Sequence, residues 1–245
     1  MCGAVRHLLA SPLVRGLIIR YRRVVRPRRV RVHGVVVAVD RGWPRAIVGT
    51  LYDGRYEQYE AQVLRATLRP GDRYLEVGAA IGVTTTIACQ IVGAANVTAV
   101  EADPALARTA ARTTALNGHT PSVINAVLTN RGEAERRFYV REEFWGSSLS
   151  QSPGAREIVV PVRAFLRELE QARVTYLAVD IEGGEAELLA PPLPASVRAV
   201  CLEVHPDRIG DAAVQDLMKH LVDQGFVLDT HLLGVQVLFG LREPR

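Results

Sequence analysis

The sequence has few of the features that mark disulfide-bonded, zinc-binding or membrane-spanning proteins. Its three cysteines, Cys2, Cys89 and Cys201, are scattered, odd in number and without Cys-x-x-Cys or His spacing. We therefore expect core thiols in a reducing compartment. Arg15 and Arg20 interrupt the best apolar run well short of the roughly 18 to 20 residues that cross a bilayer, and no leader-like segment is visible. These absences predict a soluble, cytoplasmic protein.

Lysine is almost absent, and acidic residues are absent from the start of the chain. Lys219 is the one lysine among 30 basic residues, and residues 1–31 hold nine arginines and no acid. The rest of the chain has 21 basic against 26 acidic residues, so the net charge of +4 arises from this N-terminal arm. Arginine replaces lysine throughout the chain, so the arginine content alone does not predict a nucleic-acid partner.

Apolar residues of the arm recur at helical spacing with arginines between them, and Pro12 divides the pattern. The apolar residues are Val5, Leu8, Leu9, Leu13, Leu17, Ile18 and Tyr21. The pattern predicts an amphipathic basic helix. Such a helix can contact a membrane surface or a partner, pack its apolar side on the main domain, or cover a pocket as a lid.

The remaining N-terminal residues predict a hairpin. A β-branched alternation begins at Val32, a turn follows at 40–44, and the stretch 46–49 is again apolar and β-branched. We therefore expect an extension over residues 1–50, made of the basic helix and the hairpin, and a main domain over residues 51–245.

Beyond residue 70, apolar strands alternate with helical stretches. This order predicts an α/β fold with a parallel sheet covered by helices on both faces. The final two strands are separated by a short turn and should pair antiparallel. Strands are expected at 74–77, 97–101, 122–128, 175–180, 197–204, 226–230 and 235–239, and helices at 56–68, 82–92, 104–117, 162–171 and 211–224.

Two strand ends predict a nucleoside site. The first strand ends in Glu76-Val-Gly78-Ala-Ala-Ile-Gly82, where Gly78 lets the backbone approach a ligand and Gly82 lets the next helix pack on the strand. That helix's N-terminus offers N–H groups to a carboxylate. The spacing is not the Gly-x-Gly-x-x-Gly of dinucleotide sites. The second strand ends in Glu101, which can accept two hydrogen bonds from a ribose diol, while Asp103 caps the following helix.

Four stretches carry a resemblance to a known family. They are 69–82, 99–104 with Asn117 closing the helix, 126–132 and 176–185, joined by Gly54-Arg-Tyr-Glu57 and Ser147-Ser-Leu149. The chain is similar to the FkbM family of class I S-adenosylmethionine-dependent methyltransferases over roughly residues 50–205. It departs from the family's usual Asp-x-Gly-Ala-Asn at Glu76 to Ala80, and from its usual lysine at Ala178.

The resemblance implies a Rossmann-like class I methyltransferase fold with a mostly parallel seven-stranded sheet and a C-terminal antiparallel hairpin. It implies S-adenosylmethionine as the cofactor and a hydroxyl of a small molecule, such as a sugar or polyketide natural product, as the acceptor. A carboxamide suits the adenine edge because it both donates and accepts. The implied cofactor residues are Glu76, Gly78, Ala79 and Gly82 around the methionine part, Glu101 on the ribose, and Asn125 with Ala126 at the adenine.

Two further strand ends bear catalytic candidates, because the carboxyl ends of parallel strands meet at one edge of a sheet. Asp180 and Glu182 follow one strand, and Glu203 and His205 follow the next. Methylation of a hydroxyl needs a base, for which Glu182 and His205 are the candidates, with Asp180 beside them. Asp180, Glu182 and Glu203 can instead bind Mg²⁺, although our main prediction contains no metal. Glu203 and Ser148 are expected to line the acceptor pocket.

Two other functions fit parts of the sequence. A nicotinamide-dependent oxidoreductase on a doubly wound fold is one, but it lacks its glycine fingerprint and has no use for the terminal hairpin. A non-catalytic nucleoside-binding module held on a membrane or partner by the arm is the other. Gly78, Gly82 and Glu101 favour binding of a nucleoside in either case.

Overall fold

The structure, a computed structural model, describes residues 12–141, 149, 151, 153–229 and 236–242. None of the helices in these residues has the length and hydropathy of a membrane span. The helices are α1 Pro12–Val25, α2 Arg45–Asp53, α3 Gln58–Thr67, α4 Val83–Val92, α5 Pro104–Leu116, α6 Phe165–Gln171, α7 Glu185–Leu188, α8 Pro206–Ile209 and α9 Asp211–Asp223. The strands are β1 Arg29–Val32, β2 Val35–Ala38, β3 Tyr74–Val77, β4 Val97–Glu101, β5 Ser122–Asn125, β6 Val127–Thr129, β7 Glu135–Val140, β8 Arg156–Ala164, β9 Tyr176–Val179, β10 Ala199–Glu203, β11 Val227–Leu228 and β12 Val237–Leu241.

The central sheet has seven strands in the order β11-β12-β10-β9-β3-β4-β5. The strands from β10 to β5 are parallel neighbours, and β12 runs antiparallel between β10 and β11. The predicted α/β fold, with a mostly parallel sheet and a C-terminal antiparallel pair, is confirmed. The chain crosses from one side of β3 to the other after β5, and such a reversal opens a crevice at the carboxyl ends of the strands.

Each face of the sheet has its own hydrophobic cluster, because successive strand residues point to opposite faces. Tyr74 and Tyr176 pack with residues of α3, α4 and the β1–β2 hairpin. Leu75 and Leu177 pack with residues of α6 and α9. The inner strands are therefore buried on both sides, which explains their nearly continuous apolar sequences.

The N-terminal hairpin lies earlier in the chain than predicted, with its turn at residues 33–34 and not at 40–44. β1 pairs with β2 around His33 and Gly34, whose φ angles are 47° and 83°. Positive φ at both turn residues is what a two-residue hairpin of this kind requires. Val30, Val32, Val35 and Val37 all enter the core shared with α3 and α4.

The segment predicted as the hairpin's second strand is helix α2 instead. Ile47 and Leu51, four residues apart, are both fully buried, so a helical period and not a strand period buries the apolar residues here. Gly54 ends the helix in a left-handed conformation. The predicted boundary at residue 50 lies inside this helix, and the division into an extension and a main domain stays a prediction.

A three-stranded sheet in the order β6-β8-β7 is absent from the predicted elements. The predicted strand over 122–128 divides at Ala126, so that β5 stays in the central sheet and β6 pairs with β8. β8 also takes residues 162–164 from the predicted helix, which begins only at Phe165. Phe138 and Val160 give this small sheet its own apolar cluster.

Candidate active site

A cavity of about 440 Å³ opens at the carboxyl ends of the parallel strands. Its volume is typical of sites for small molecules. Its apolar side includes Leu106, Leu128 and Phe138, and its acidic side is a group of carboxylates around Asp180. Among the described residues, those before Arg55 do not line the cavity. The role of the arm as a lid therefore stays a prediction.

The turn from β3 to α4 is held by close backbone packing. Gly78 and Gly82 have φ angles of 97° and 79°. A Cβ atom at Gly78 would collide with the carbonyl oxygen of Asp180, and one at Gly82 would lie 2.8 Å from the Cα of Ala110 in α5. Gly78 lines the cavity, as predicted for a backbone that approaches a ligand. Gly82 differs from the prediction, because its absent side chain makes room for α5 and not for the strand.

The N-terminus of α4 already has a carboxylate of the protein. Glu57 Oε2 lies 3.2 Å from both the backbone nitrogen and the hydroxyl oxygen of Thr84, which donate to it. Glu57 also lines the cavity. The N–H group of Thr84, one of those predicted to bind a ligand carboxylate, therefore donates to Glu57.

Glu101 lies at the tip of β4, buried and in the wall of the cavity. Its Oε2 accepts the N–H of Ala80 and its Oε1 accepts the N–H of Asp103, both at 2.8 Å. Burial raises the pKa of Glu101 to about 7 in spite of these bonds. Asp103 caps α5 through the N–H of Ala105, as predicted. Glu101 is therefore a fixed acceptor that faces the cavity.

The other predicted cofactor residues lie around this turn with different exposures to the cavity. Ala126 lines it, whereas Ala79 is buried beneath the turn. Asn125 donates its side-chain amide to the carbonyl oxygens of Glu101 (2.9 Å) and Ala102 (2.8 Å). The side-chain N–H groups of Asn125 therefore stabilise the end of β4.

Five of the predicted site residues that the structure describes do not line the cavity: Glu76, Ala79, Gly82, Asn125 and His205. Glu76 is buried and accepts hydrogen bonds from the hydroxyls of Tyr74 and Thr85. It lines a small neighbouring void. Ser148, the predicted acceptor residue, lies outside the described residues.

Five carboxylates converge on the acidic side of the cavity. Asp180, Glu182 and Glu203 were expected there, and Glu57 and Glu60 join them from the start of α3. Burial and the charge of Glu60 raise the pKa of Asp180 well above its usual value, and burial with the charge of Asp180 raises the pKa of Glu203 to about 9. The charge of Glu60 also raises the pKa of Glu203.

His205 lies just behind this wall and is held by a buried acid. Its Nδ1 is 2.5 Å from Oε1 of Glu185, a fully buried residue. Its Nε2 is 3.5 Å from Oε2 of Glu182 and 4.0 Å from both Asp180 and Glu203. Burial alone would lower the pKa of His205, but the hydrogen bond with Glu185 and the charge of Glu182 raise it. The ring is therefore fixed in orientation and basic.

Glu182 is shared between the cavity and two cationic side chains. Its Oε2 is 2.9 Å from Nε of Arg208 as well as near the imidazole of His205. Burial raises the pKa of Glu182, while the charges of His205 and Arg208 lower it. Its side chain retains 17% exposure, so it can meet a ligand in the cavity.

The group of described residues with the spacing of metal ligands contains His205 in place of Glu182 of the predicted Mg²⁺ set. Asp180, Glu203 and His205 offer ligand atoms that lie within 4.8 Å of one another. Glu182, which the prediction included, is bonded to Arg208 instead. An imidazole in the set suits transition metals better than Mg²⁺, which prefers oxygen ligands.

A comparison with known families decides what kind of protein has this cavity. Residues 76–228 match the model of the methyltransferase FkbM domain, which is more than half of the chain. The chain belongs to the FkbM methyltransferase family. The resemblance seen in the sequence is thereby confirmed, and so is S-adenosylmethionine as the cofactor of this methyltransferase. The oxidoreductase alternative is excluded by the same match. No curated protein matches the sequence.

Several solved structures resemble the FkbM chain at low identity. Magnesium protoporphyrin IX methyltransferase (ChlM) from Synechocystis PCC 6803, with bound cofactor, is 15% identical with a TM-score of 0.47, covering 98% of this chain and 96% of that one. Ribosomal protein L11 methylase from Lactobacillus delbrueckii subsp. bulgaricus is 11% identical with a TM-score of 0.44, covering 78% and 80%. Fibrillarin from Aeropyrum pernix, bound to S-adenosyl-L-methionine, is 14% identical with a TM-score of 0.37, covering 71% and 67%.

The cavity of this FkbM protein suits the chemistry of its cofactor. Glu101 keeps free lone pairs after accepting two backbone N–H groups, so it can also accept ribose hydroxyls. The apolar side, with Leu106 and Phe138, suits a purine. The acidic side suits a sulfonium, because the positive charge on the sulfur favours the ionised form of the nearby carboxyl groups. The individual roles of these residues stay predictions.

Sequence reasoning missed several residues of the FkbM site. Glu57 lies in a stretch that is similar to the family, but the sequence indicated no role for it. Glu60 has no pattern that distinguishes it from a solvent-facing acid on a helix. Glu185 also lies in a stretch that is similar to the family. Its contact with His205 joins residues 20 positions apart, so local spacing does not predict it. Arg208 follows His205 closely, and a basic residue so near an acidic strand end was a usable signal.

Proposed function

We propose that this methyltransferase transfers the methyl group of S-adenosylmethionine to a hydroxyl of a small molecule, such as a sugar or polyketide natural product. One observation carries the proposal: Glu182 lines the cavity while its carboxylate contacts both His205 and Arg208. A hydroxyl needs to lose its proton as it is methylated, whereas an acceptor that is already an anion does not. A positioned carboxylate backed by an imidazole supplies that proton acceptor.

When bound, the cofactor supplies an electrophilic methyl group on a positively charged sulfur. Glu101 holds the ribose, and the apolar side of the cavity takes the adenine. The acceptor then lies toward Glu182, with Asp180 and Glu203 beside it. The cavity supports transfer mainly by holding the two partners in line and excluding water.

Glu182 takes the hydroxyl proton in this proposal. Arg208 keeps the carboxylate ionised and oriented, and burial keeps its pKa above the usual value, which makes it a better base near neutral pH. His205 lies behind Glu182, with its Nε2 3.5 Å from Oε2 of Glu182, and its positive charge favours the ionised carboxylate. No metal takes part in the reaction that we propose.

The direct experiment is a panel of acceptors incubated with isotopically labelled S-adenosylmethionine. Hydroxyl-bearing sugars and polyketides form one arm, and matched amines and carboxylic acids form the others. Label in a methyl ether, absent with the Glu182→Gln variant and insensitive to a chelator, supports the proposal. Label in the amines alone contradicts hydroxyl methylation, and loss of activity with chelator that Mg²⁺ or Mn²⁺ restores contradicts the metal-free reaction.

A second experiment tests catalysis against mere binding. Saturating S-adenosylmethionine at about 100 times its dissociation constant should add roughly 2.7 kcal/mol of stability, seen as a thermal shift that NAD does not produce. A protein that shows this shift but labels no acceptor in any arm would be a nucleoside-binding module.

A further inference from the structure

Helix α1 turns an apolar stripe away from the protein. Leu17, Tyr21 and Val24 are 67%, 61% and 75% exposed. At about 100° per residue, these three positions fall within about 60° of the helix circumference. A helix that packs on its own domain turns such residues inward. The stripe is therefore not a packing face toward the described body of the protein.

The side of α1 that faces the body carries half-buried Ile18 and Ile19 together with arginines that bond to the body. Arg22 donates to the carbonyl oxygens of Tyr52 (3.2 Å) and Arg31 (3.1 Å). Arg23 forms an ion pair with Asp53 at 2.7 Å. These contacts fix the helix to α2 and β1 and hold the stripe outward.

Exposed arginines in α1 and in the segment after it form a basic rim. Arg20, Arg26, Arg28 and Arg29 are exposed, and in the described parts of the chain no carboxylate lies within ion-pair distance of them. The contact of Arg22 with the backbone of Arg31 places the end of α1 beside β1, whose exposed positions include Arg29 and Arg31. Residues 1–31 contain nine arginines and no acid, so this surface has one sign of charge.

We propose that α1 and its basic rim bind the surface of an anionic lipid bilayer. Amphipathic helices with arginine beside an exposed apolar stripe lie in the membrane interface, where apolar burial and attraction to anionic headgroups act together. The apolar stripe argues against nucleic acid, whose phosphates would meet the arginines alone. Pairing with a second copy would bring two arms of the same charge together.

Vesicle co-sedimentation of the full chain tests the proposal. Vesicles of phosphatidylcholine alone are compared with vesicles that also contain phosphatidylglycerol. We expect binding to the anionic vesicles that weakens with salt, since the Debye length falls from about 30 Å at 0.01 M to about 8 Å at 0.15 M. No binding at low salt, or equal binding to both vesicles, overturns the proposal.

Matched variants separate the stripe and the rim from general surface effects. Leu17→Asp with Val24→Asp should weaken vesicle binding by at least about tenfold, because two side chains lose their burial. Val222→Asp, at a 52% exposed position of α9, should not. Arg28→Glu with Arg29→Glu should cost at least about fivefold per arginine, whereas Arg108→Glu on the exposed side of α5 should not.

The same variants distinguish the other occupants. Duplex DNA that binds equally well to the wild type and to the Leu17/Val24 variant, while vesicles do not bind, would make the arm a nucleic-acid surface. A dimer in sedimentation that the Leu17/Val24 variant dissociates would make it a self-association surface. The thermal shift with S-adenosylmethionine should be unchanged in every arm variant, which shows that each one is folded.

Discussion

Ala80 has a left-handed backbone, with φ of 44°, in the turn that contains Gly78 and Gly82. This conformation costs a residue with a Cβ about 1 to 2 kcal/mol, and glycine avoids the cost at the expense of a more flexible unfolded chain. The family usually has asparagine here, a residue that tolerates this region better than alanine. The departure noted in the sequence therefore has a structural consequence.

We expect Ala80→Gly to raise the free energy of unfolding by about 0.5 to 1 kcal/mol, measured by urea denaturation. Ala79→Gly is the matched control, because that neighbour has no positive φ and is fully buried. The control should be destabilised. A fall in stability for Ala80→Gly would mean that its methyl group contributes packing that outweighs the backbone strain.

Glu182, His205 and Glu185 form a line of three side chains, and each should affect turnover differently. Glu182→Gln should keep S-adenosylmethionine affinity yet lose on the order of 10² to 10⁴ in kcat, because the proton acceptor is gone. Glu185 is a positioning residue, so Glu185→Gln should lose less. It should also move the basic limb of the pH–rate profile to lower pH, since the charge of Glu185 raises the pKa of His205, whose positive charge favours the ionised form of Glu182.

Kinetics over a pH series with calorimetric cofactor affinities measures both variants. A His205→Asn variant without activity, beside a Glu182→Gln variant with normal turnover, would assign the proton to His205 and not to Glu182. An unshifted profile in Glu185→Gln would reduce Glu185 to a packing role.

At the scale of elements, a buried ion pair fastens the strands at the end opposite the cavity. Asp72, just before β3, accepts from Nε of Arg198 at 2.8 Å and from the hydroxyl of Thr175 at 2.8 Å. These partners precede β10 and β9. Burial alone would raise the pKa of Asp72, but the bonds from Arg198 and the backbone N–H of Arg69 hold it below its usual value.

Asp72→Asn should therefore lower the free energy of unfolding by about 3 kcal/mol, because Arg198 is left without its charge partner in a mostly buried position. The folded pKa is depressed, so the stabilisation is full above the ordinary pKa of about 3.8 and is lost as pH falls through the folded value. Denaturation at several pH values measures both effects.

The exposed pair of Lys219 and Asp223 is the control, and Asp223→Asn should change stability by no more than about 1 kcal/mol. Cofactor affinity should be unchanged in both variants. Reduced affinity in Asp72→Asn would show that the strand bases and the cavity are mechanically connected.

The elements that the sequence predicted well are those whose burial pattern has one explanation. β3, β4, β9 and β10 are buried on both faces, so their apolar runs leave no other choice of structure. β7 and β8 each have a single buried position, and charged residues fill six of their fifteen positions, so hydrophobic periodicity carries little signal there. The α2 segment contains β-branched residues, and only its tertiary packing shows that a helix buries Ile47 with Leu51.

The same limit applies to the candidate site. Glu101, Asp180 and Glu203 were predicted because strand ends of a parallel sheet converge by geometry. The contribution of α3, with Glu57 and Glu60, depends on where that helix packs across the sheet. Such a placement leaves no trace in local spacing.

At the scale of the whole molecule, charge is divided between a basic arm and an acidic cavity. The pKa of Glu101 is about 7 and that of Glu203 about 9. Both carboxyls therefore hold protons in the ligand-free protein below these values. A ligand with a positively charged sulfur favours the ionised forms, so its binding releases protons.

S-adenosylmethionine affinity should consequently rise as pH rises through about 7 and again toward about 9. Calorimetry in buffers of different ionisation enthalpy measures both the affinity and the protons released. Glu101→Gln should weaken binding by about 1 to 3 kcal/mol at neutral pH and remove the step near 7. Affinity that does not change with pH, in a protein with normal thermal shifts, would contradict the assignment of Glu101 to the ribose.

One oxygen atom joins these two regions of opposite charge. Oδ2 of Asp53 contacts Arg23 of the arm at 2.7 Å and Arg55 of the cavity wall at 3.0 Å. A ligand that breaks the contact of either arginine with Asp53 strengthens the attraction between Asp53 and the other arginine. Thermodynamic reciprocity makes the two effects equal in size. If binding of a surface to the arm changes the affinity of the cavity for its ligand through this oxygen, then binding of that ligand changes the affinity of the arm for the surface by the same factor.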